Sequence, residues 1–451
     1  MAQRSAFNLV QRLARSSRSQ LRELFTTACR SLRQMQCRAE MRRALLEDLQ
    51  IGPGIRLRRL EPRRVLNASF EVIGGTDLAL FDFADGAHLD VDHDGTHHSF
   101  TLSSGTWFEG GVDSGNNVLS LVLTGKLSIQ SALATNIALH GDLGNLSDLS
   151  VNVGGHFGDD DLATLVVADQ LKVSAGSIQL DGVSYQAGSH FVLESTVDSV
   201  SINAQILSNS GAINVIAANS IFQSESAQVL SGSDAFDNSI WMNAIGGSLE
   251  MTESALTATK GGNIHYWASQ DVILSQLNSI SGSISIIAGL NIIDLHNDTV
   301  MKTSEGFSDP TNDPRVENLI AASILLQASG DIGVPGNPLD TFAGSIALSS
   351  GNHSYILESD SIEISDLSSE AKIINWDVTS RIANHSLSGG SSQNGHLKLE
   401  TLSGSLYINQ SVTAAQDFFL AAGGDFLGDA NINAAVTSQF GRIGFLAADD
   451  V

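Results

Sequence analysis

The chain has 451 residues and a net charge of −25 that is unevenly distributed. Residues 1–65 contain fifteen Arg, no Lys and five acidic residues, whereas residues 66–451 contain nine basic and forty-four acidic residues. Because residues 66–451 are strongly acidic, they repel nucleic acid and anionic lipid. The sequence therefore predicts that neither is a partner of this part of the chain. The chain has no run of eighteen apolar residues, so no transmembrane segment is predicted.

The first predicted element is a basic amphipathic α-helix within residues 1–50. Its apolar residues recur at three- and four-residue spacings and form one stripe. The stripe consists of Leu21, Leu24, Phe25, Ala28, Leu32 and Met35. Two interpretations are open: a leader that contacts a membrane or the export machinery, and a solvated helical extension without a partner. A standard secretory signal peptide is not predicted, because Arg recurs as far as Arg43 and leaves no uninterrupted apolar core.

Residues 51–68 form a predicted linker, which leads into the sequence LEPRRVLNASF at 60–70. This stretch resembles the LEPR-XLL motif, found near the N-terminus of very large exported bacterial proteins. The matching residues are Leu60, Glu61, Pro62, Arg63 and, at the later leucine position, Leu66. The resemblance implies export through the N-terminal segment to the cell surface or the medium. On this hypothesis the mature protein begins just after Ala68.

Residues 69–124 are predicted to form a small β cap. Four segments there have longer apolar runs than the rest of the body, with the alternation typical of strands. They are FEVIG at 70–74, ALFDF at 79–83, SFTLSS at 99–104 and LSLVL at 119–123.

The sequence DVDHDG at 90–95 is the best local candidate for a binding site. Asp90, Asp92 and Asp94 repeat the opening of a calcium loop, in which alternate carboxylates surround one hard cation. The position of the bidentate Glu of such a loop holds Thr101, which removes the strongest ligand. Calcium binding is therefore one interpretation, and a solvated acidic turn is the other. No other cofactor is predicted.

Two further polar clusters have the same pair of interpretations. Histidines crowd the candidate calcium loop and, with Asp92 and Asp94, form a candidate donor set for zinc or another divalent ion. They are His88, His93, His97 and His98. The sequence GDDD at 158–161 is a candidate for calcium bound between coils, but the repeating nonapeptides that accompany such sites are absent. Solvated surface turns are the favoured interpretation of both clusters.

Residues 125–451 contain a recurring pattern of Gly, a small or polar residue, Ile or Leu, any residue, and an apolar residue. The pattern begins at residues 125, 176, 211, 247, 262, 282, 330, 344, 395, 404 and 441. Short strands separated by lone glycines, without frequent Asn-Gly hairpins, favour an all-β fold of the parallel β-helix (β-solenoid) type. Gly and Asn are expected at the corners because they tolerate positive φ.

The stretch at 328–341, ASGDIGVPGNPLDT, resembles the β-helical repeats of filamentous haemagglutinin-like adhesins. The matching residues are Gly330, Asp331, Ile332, Gly333, Pro338 and Leu339. The resemblance implies a β-helix with an adhesive role. The segment at 297–318 is predicted to be a loop that leaves the solenoid. The sequence ends without a polar capping segment, so we expect either that the solenoid continues beyond residue 451 or that its cap is small.

Two function classes remain open. The favoured one is a non-enzymatic, exported surface or secreted solenoid that is structural or binds surface polysaccharide, matrix or other cells. The alternative is a carbohydrate-active β-helix, a polysaccharide lyase or hydrolase. Glu358 and Asp360 are candidate paired acids for it, but the basic residues of the body are widely separated. No catalytic residue is assigned.

Overall fold

The computed structural model describes residues 68–110, 112–232, 238–295, 317–423 and 430–447. The regular elements of these residues are β-strands, with no α-helix among them. The predicted helical leader, the LEPR-like residues 60–66 and most of the predicted loop at 297–318 lie outside the described residues. Within the described ranges, no helix is long and apolar enough to cross a membrane.

The strands are mostly three to six residues long. Those before residue 125 are β1 (Ala68–Ile73), β2 (Asp77–Phe81), β3 (His88–His93), β4 (His98–Leu102), β5 (Trp107–Glu109), β6 (Val112–Asp113) and β7 (Val118–Leu121). Those between residues 125 and 295 are β8 (Lys126–Ser131), β9 (Asn136–Leu139), β10 (Asp142–Leu146), β11 (Asp148–Val153), β12 (His156–Asp159), β13 (Thr164–Val167), β14 (Leu171–Ala175), β15 (Ser177–Leu180), β16 (Ser184–Ala187), β17 (Phe191–Ser195), β18 (Val200–Ile202), β19 (Gln205–Ser208), β20 (Ile213–Ala217), β21 (Ile221–Gln223), β22 (Gln228–Ser231), β23 (Ile240–Ala244), β24 (Leu249–Met251), β25 (Leu256–Thr259), β26 (Ile264–Ala268), β27 (Val272–Leu274), β28 (Gln276–Ala288) and β29 (Ile292–Asp294). Those after residue 316 are β30 (Leu319–Ala328), β31 (Leu339–Ser350), β32 (Ser354–Glu358), β33 (Ile362–Ile364), β34 (Asp366–Ile374), β35 (Ser380–Ser388), β36 (Gly390–Ser392), β37 (Leu397–Thr401), β38 (Leu406–Ile408), β39 (Val412–Ala414), β40 (Phe418–Ala422), β41 (Ala430–Ile432), β42 (Val436–Ser438) and β43 (Ile443–Ala447).

Parallel pairing between strands of successive coils produces three ladders. Ladder A contains β2, β8, β11, β14, β17, β20, β23 and β26. Ladder B contains β3, β9, β12, β15, β18, β21, β24, β27 and β29. Ladder C contains β10, β13, β16, β19, β22 and β25. The long strands β28, β30 and β31 each run through ladder C and then ladder A, and parallel pairing continues to β43.

Each passage of the chain through the three ladders forms one coil. In ladder A, Leu171 pairs with Phe191 and Ile213 pairs with Ile240, so these equivalent residues lie 20 and 27 positions apart. The predicted all-β fold is confirmed for the described residues, and the long parallel ladders are consistent with the predicted solenoid.

One side of each ladder faces a core that continues from Ala68 to Ala430. The paired residues Phe191, Ile213 and Ile240 are fully buried there, each stacked on its equivalent in the next coil. Burial of such a side chain contributes about 1.5–3 kcal/mol. Because the partners are in adjacent coils, each coil is stabilised mainly by its two neighbours.

Copies of the recurring glycine pattern precede strands of more than one ladder, which explains their irregular spacing. The copy at 125 precedes β8 of ladder A, whereas the copy at 176 precedes β15 of ladder B. The expected reason for these glycines was wrong for most copies, since only Gly404 among the pattern glycines has a positive φ, of 78°. At Gly262 a Cβ atom would lie 2.4 Å from the carbonyl oxygen of Asn238. Close approach of the neighbouring coil therefore selects glycine at this corner.

The strands before residue 125 are continuous with the ladders, because β2 and β3 pair in parallel with β8 and β9. Strands β1, β2, β4 and β7 overlap the four segments predicted from the sequence. The ring of Trp107 packs edge-on against Phe70 and Phe83, with centroids 6.2 and 6.1 Å apart. Its Nε1–H donates to the carbonyl oxygen of Phe100 at 3.1 Å.

The antiparallel hairpin β34–β35 lies over the outward side of ladder A. Ser369 of the hairpin is hydrogen-bonded to His265, with 2.7 Å between Oγ and Nε2. At the hairpin turn, the carbonyl oxygen of Trp376 accepts a hydrogen bond of 3.2 Å from Lys172 Nζ. Because Lys172 and His265 belong to different coils, the hairpin spans several coils. The sequence analysis did not predict it.

Polar side chains connect successive coils at one corner, which precedes the last strands of ladder B and then strands β32, β37, β40 and β43. Each side chain accepts a hydrogen bond of 2.8–3.1 Å from the backbone N–H of its equivalent in the next coil. The series is Asp271, Asn291, Asp331, His353, His396, Asp417 and Arg442, the last of which is only a donor. These bonds satisfy backbone groups where the chain turns and the strand ladder is interrupted.

Candidate functional site

The outward residues of ladder B form a row across neighbouring coils. Ser201, Phe222, Glu250 and Ile273 are partners in register on β18, β21, β24 and β27. Neighbouring parallel strands lie ~4.8 Å apart, so each coil places one side chain in the row at that interval. Phe222 is 39% exposed, which is unusual for an aromatic side chain.

Phe222, Glu250 and Ile273 of this row line an open groove of about 720 Å³, which we call the face-B groove. Its lining also includes Asn203, Ser224 and Glu253. The volume falls within the range of about 300–1,000 Å³ that is typical of ligand sites.

Backbone hydrogen bonds fix the rim of the groove at the residues that directly follow strands of ladder B. The N–H of Asn203 donates to Leu180 O at 2.7 Å, and that of Thr252 donates to Gln223 O at 2.8 Å. The polar side chains at the rim of the groove are therefore attached to a backbone that is fixed by hydrogen bonds. The local sequence folds in this way because apolar residues alternate with polar ones up to the end of each strand.

A chain of side-chain hydrogen bonds extends from the rim toward the earlier coils. Asn203 Nδ2 donates to Asp181 Oδ1, and Gln179 Nε2 donates to Asp181 Oδ2 at 2.6 Å. The Ser226 hydroxyl donates to the carbonyl oxygen of Asn203 at 2.6 Å. These contacts fix the orientation of the Asn203 amide beside the Phe222 ring.

The described residues that line the groove combine the Phe222 ring and aliphatic side chains such as Ile273 and Leu295 with amide, hydroxyl and carboxylate groups. None of these described residues is Lys or Arg. They offer hydrogen-bond acceptors and apolar contact surface, without a cation among them that would pair with a phosphate, sulfate or carboxylate. The sequence analysis missed this groove, because Phe222 and Glu250 are 28 positions apart and neither belongs to a motif.

The candidate calcium residues lie in the β3–β4 hairpin. Asp90 and Asp92 are on β3, and Asp94 is in the turn, where its Oδ1 accepts hydrogen bonds from the N–H groups of His97 and Thr96 at 2.7 and 2.8 Å. These backbone bonds hold the pKa of Asp94 below its ordinary value. Among the described residues, no group of three or more His, Cys, Asp or Glu is placed to hold a metal ion. Calcium binding stays a prediction.

Asp90 belongs instead to a polar network that links three coils. Its Oδ1 is 3.1 Å from His140 Nε2, and His140 Nδ1 is 3.2 Å from Asp160 Oδ2. Partial burial lowers the pKa of His140, but the two carboxylates outweigh it and raise that pKa above its ordinary value. His88 Nε2 also lies 3.0 Å from Asp90 Oδ1. His88 and Asp90 were each named from the sequence as candidate metal ligands, whereas His140 was not.

The other predicted histidines are dispersed. His93 and His98 stack, with ring centroids 4.4 Å apart, and His98 Nε2 is 2.9 Å from the carbonyl oxygen of Leu143. Burial lowers the pKa of His98. His97 lies in the exposed turn beside Asp94.

The GDDD sequence at 158–161 closes β12 and begins the turn after it. Burial raises the pKa of Asp159 to about 7, although its Oδ1 accepts a hydrogen bond of 2.5 Å from the N–H of Asp181. Asp160 Oδ1 accepts hydrogen bonds from the backbone N–H groups of Gly141 and Leu162 at 3.3 and 3.1 Å. These carboxylates organise turns between neighbouring coils.

Glu358 and Asp360 do not form a pair on one outer face. Glu358 is fully buried, and burial raises its pKa to about 8. Its carboxylate accepts hydrogen bonds from the Thr341 hydroxyl at 2.6 Å and the Ala343 N–H at 3.0 Å. The Asp360 backbone N–H lies 3.4 Å from the same carboxylate. This arrangement fixes a bend of the chain and leaves Glu358 inaccessible to a polymer.

Ala68, the predicted boundary of the mature protein, is the first residue of β1 and is buried. Its N–H donates to Thr106 O at 3.3 Å, and it pairs in register with Trp107. A cut after Ala68 would remove a buried residue from the sheet. The remaining residues of the predicted export motif, at 60–66, lie outside the described part of the chain.

Comparison with protein-family models, with curated proteins and with solved structures gave no match to this chain.

Proposed function

We propose that this protein is an exported, non-enzymatic β-solenoid with a structural or adhesive role at the bacterial cell surface or in the medium. The single observation that carries the proposal is the face-B groove. An exposed aromatic ring and a carboxylate stand side by side on adjacent strands, Phe222 on β21 and Glu250 on β24. A rigid parallel ladder that presents such residues in a row suits repeated weak contacts with an extended partner.

Two features of the sequence support the proposal. The strongly acidic body keeps a long repetitive protein soluble and disfavours contact with nucleic acid. The basic N-terminal segment, followed by the LEPR-like stretch, has the order of parts expected of a leader. The partners that fit are surface polysaccharide, matrix or other cells.

N-terminal sequencing of the protein recovered from intact cells and from their medium tests the export step. The proposal predicts a surface or secreted form that lacks the basic segment, with a new N-terminus at or before β1. An intact Met1 found only in the cytoplasmic fraction would contradict export and leave the basic segment as a functional part of the mature chain.

A carbohydrate-active enzyme is the second candidate, since Glu250 and Glu253 both line the groove. Paired carboxylates are the groups that hydrolyse glycosidic bonds. Incubation of the intact chain with neutral and acidic polysaccharides, followed by a reducing-end assay, separates the two functions. Release of reducing ends that is lost in Glu250→Gln would favour the enzyme, and no release by the folded protein would favour the non-enzymatic role.

A further inference from the structure

We propose that the face-B groove binds a neutral glycan chain that lies along the solenoid axis, with Phe222 as the stacking platform. This inference rests on the adhesive function proposed above and names the class of its partner.

The platform is Phe222, which points away from the core while its neighbours on β21, Ile221 and Gln223, are buried. Strands on both sides hold β21 in register, so the ring is displayed on a fixed backbone. The face of an aromatic ring packs well against an apolar surface that carries slightly positive hydrogens. The C–H face of a sugar ring is such a surface. If Phe222 served only the stability of the fold, its side chain would contribute more when buried in the core than at this exposed position.

Hydrogen-bonding groups from three successive coils share the groove with the platform. Glu250 is its register partner in the next coil, Asn203 follows β18 in the preceding coil, and Ser224 follows β21 in the same coil. A carboxylate accepts two hydrogen bonds at once, and an amide both donates and accepts. Adjacent hydroxyl groups of a sugar require this combination.

The charge of the groove selects neutral glycans over charged ones. Two carboxylates, Glu250 and Glu253, line it, and the described part of its lining contains no Lys or Arg. Uronic acids, sulfated sugars and phosphate polymers would meet like charges at these two carboxylates. A cationic polymer is the competing partner that charge alone would allow, so the test includes it.

The direction of the chain follows from the ladder. Ser201, Phe222, Glu250 and Ile273 lie along the axis, about 4.8 Å apart. An extended polymer along the axis would contact one outward residue from each coil, whereas a polymer along a strand would leave the groove after two or three residues.

The experiment is calorimetric titration of the full chain with soluble oligosaccharides. The neutral probes are cellohexaose, mannohexaose and N-acetylchitohexaose, the anionic control is oligogalacturonate, and the cationic control is a chitosan hexamer. We expect binding of at least one neutral oligosaccharide and no binding of oligogalacturonate. Phe222→Ala should weaken that binding about tenfold or more, and Glu250→Gln should weaken it without changing the fold.

The matched control is Phe342→Ala, which removes an aromatic side chain that is 45% exposed on β31 and outside the groove. It should bind the neutral oligosaccharide like the unmodified chain. Circular dichroism of each variant verifies that it is folded. Failure of all three neutral probes, equal loss in both Phe variants, or binding of the chitosan hexamer alone would each overturn the inference. If the protein is found at the cell surface but binds no glycan, only this inference is refuted. If it binds glycan but is found in the cytoplasm, the proposed export is refuted.

Discussion

Acidification should release the hairpin β34–β35 from ladder A, because the hairpin holds a neutral histidine in a buried site. Burial lowers the pKa of His265 to about 3, from an ordinary value of 6.5. Its Nε2 is hydrogen-bonded to Ser369 of the hairpin, and its ring stacks on Trp241 with centroids 5.8 Å apart. The other titratable group that acts on it is His385, whose pKa burial also lowers.

The sign and size of the effect follow from linkage. A histidine whose pKa is lowered in the docked state contributes stability that is complete above pH 6.5 and is lost as pH falls toward 3. A pH of about 5 is 1.5 pH units below the ordinary pKa of 6.5. At that pH, protonation of His265 in the undocked state reduces the free energy of docking by about 2 kcal/mol. This corresponds to a roughly 30-fold increase in the population of the undocked hairpin. His385, which is hydrogen-bonded to Ser285, adds to the loss.

Hydrogen exchange followed by mass spectrometry measures the effect. After correction for the intrinsic pH dependence of exchange, peptides from 366–388 should exchange much faster at about pH 5 than at pH 7.5, while those from β9 and β12 of ladder B should not change. The variant with both His265→Gln and His385→Gln should lose this difference. Equal protection of the hairpin at both pH values, or an unaltered pH response in the double variant, would refute the assignment of a buried neutral histidine.

Three further predictions concern the stability of the coils, each measured by chemical denaturation of the purified chain. Ile284→Ala removes a fully buried side chain and should cost about 2–5 kcal/mol, because the coils above and below cannot close the cavity. Gly262→Ala should cost about 1–3 kcal/mol, since its Cβ would lie 2.4 Å from a backbone oxygen of the preceding coil, whereas Gly336→Ala, with open space around it, should be nearly neutral. Asn291→Ala removes the acceptor of the Asp331 N–H and should cost about 1–3 kcal/mol, while a change below 0.5 kcal/mol would mean that water replaces it.

The class of fold followed from local patterns. Short segments with two-residue periodicity, such as those overlapping β1 and β4, predicted strands because inward and outward side chains alternate. The scarcity of Asn-Gly favoured parallel over hairpin connections. The role of the glycines was predicted incorrectly, because contacts with a neighbouring coil, as at Gly262, are invisible in a single segment.

The groove and the hairpin could not be predicted, because both depend on register between distant segments. Phe222 and Glu250 become neighbours only when coils of unequal length are aligned. The hairpin is joined to Lys172 through Trp376, which lies 204 positions away in sequence. Local periodicity identifies strands, but it does not determine which coil a strand joins or what covers its outer face.

The central claim, that the solenoid body is exposed outside the cell, is tested most directly by labelling intact cells. The chain has two cysteines, Cys29 and Cys37, so Val197→Cys in a Cys29→Ser, Cys37→Ser background places one thiol on the body. Val197 is 73% exposed. We predict that a membrane-impermeant maleimide labels this thiol in intact cells as completely as after lysis. Labelling that occurs only after lysis would contradict the claim.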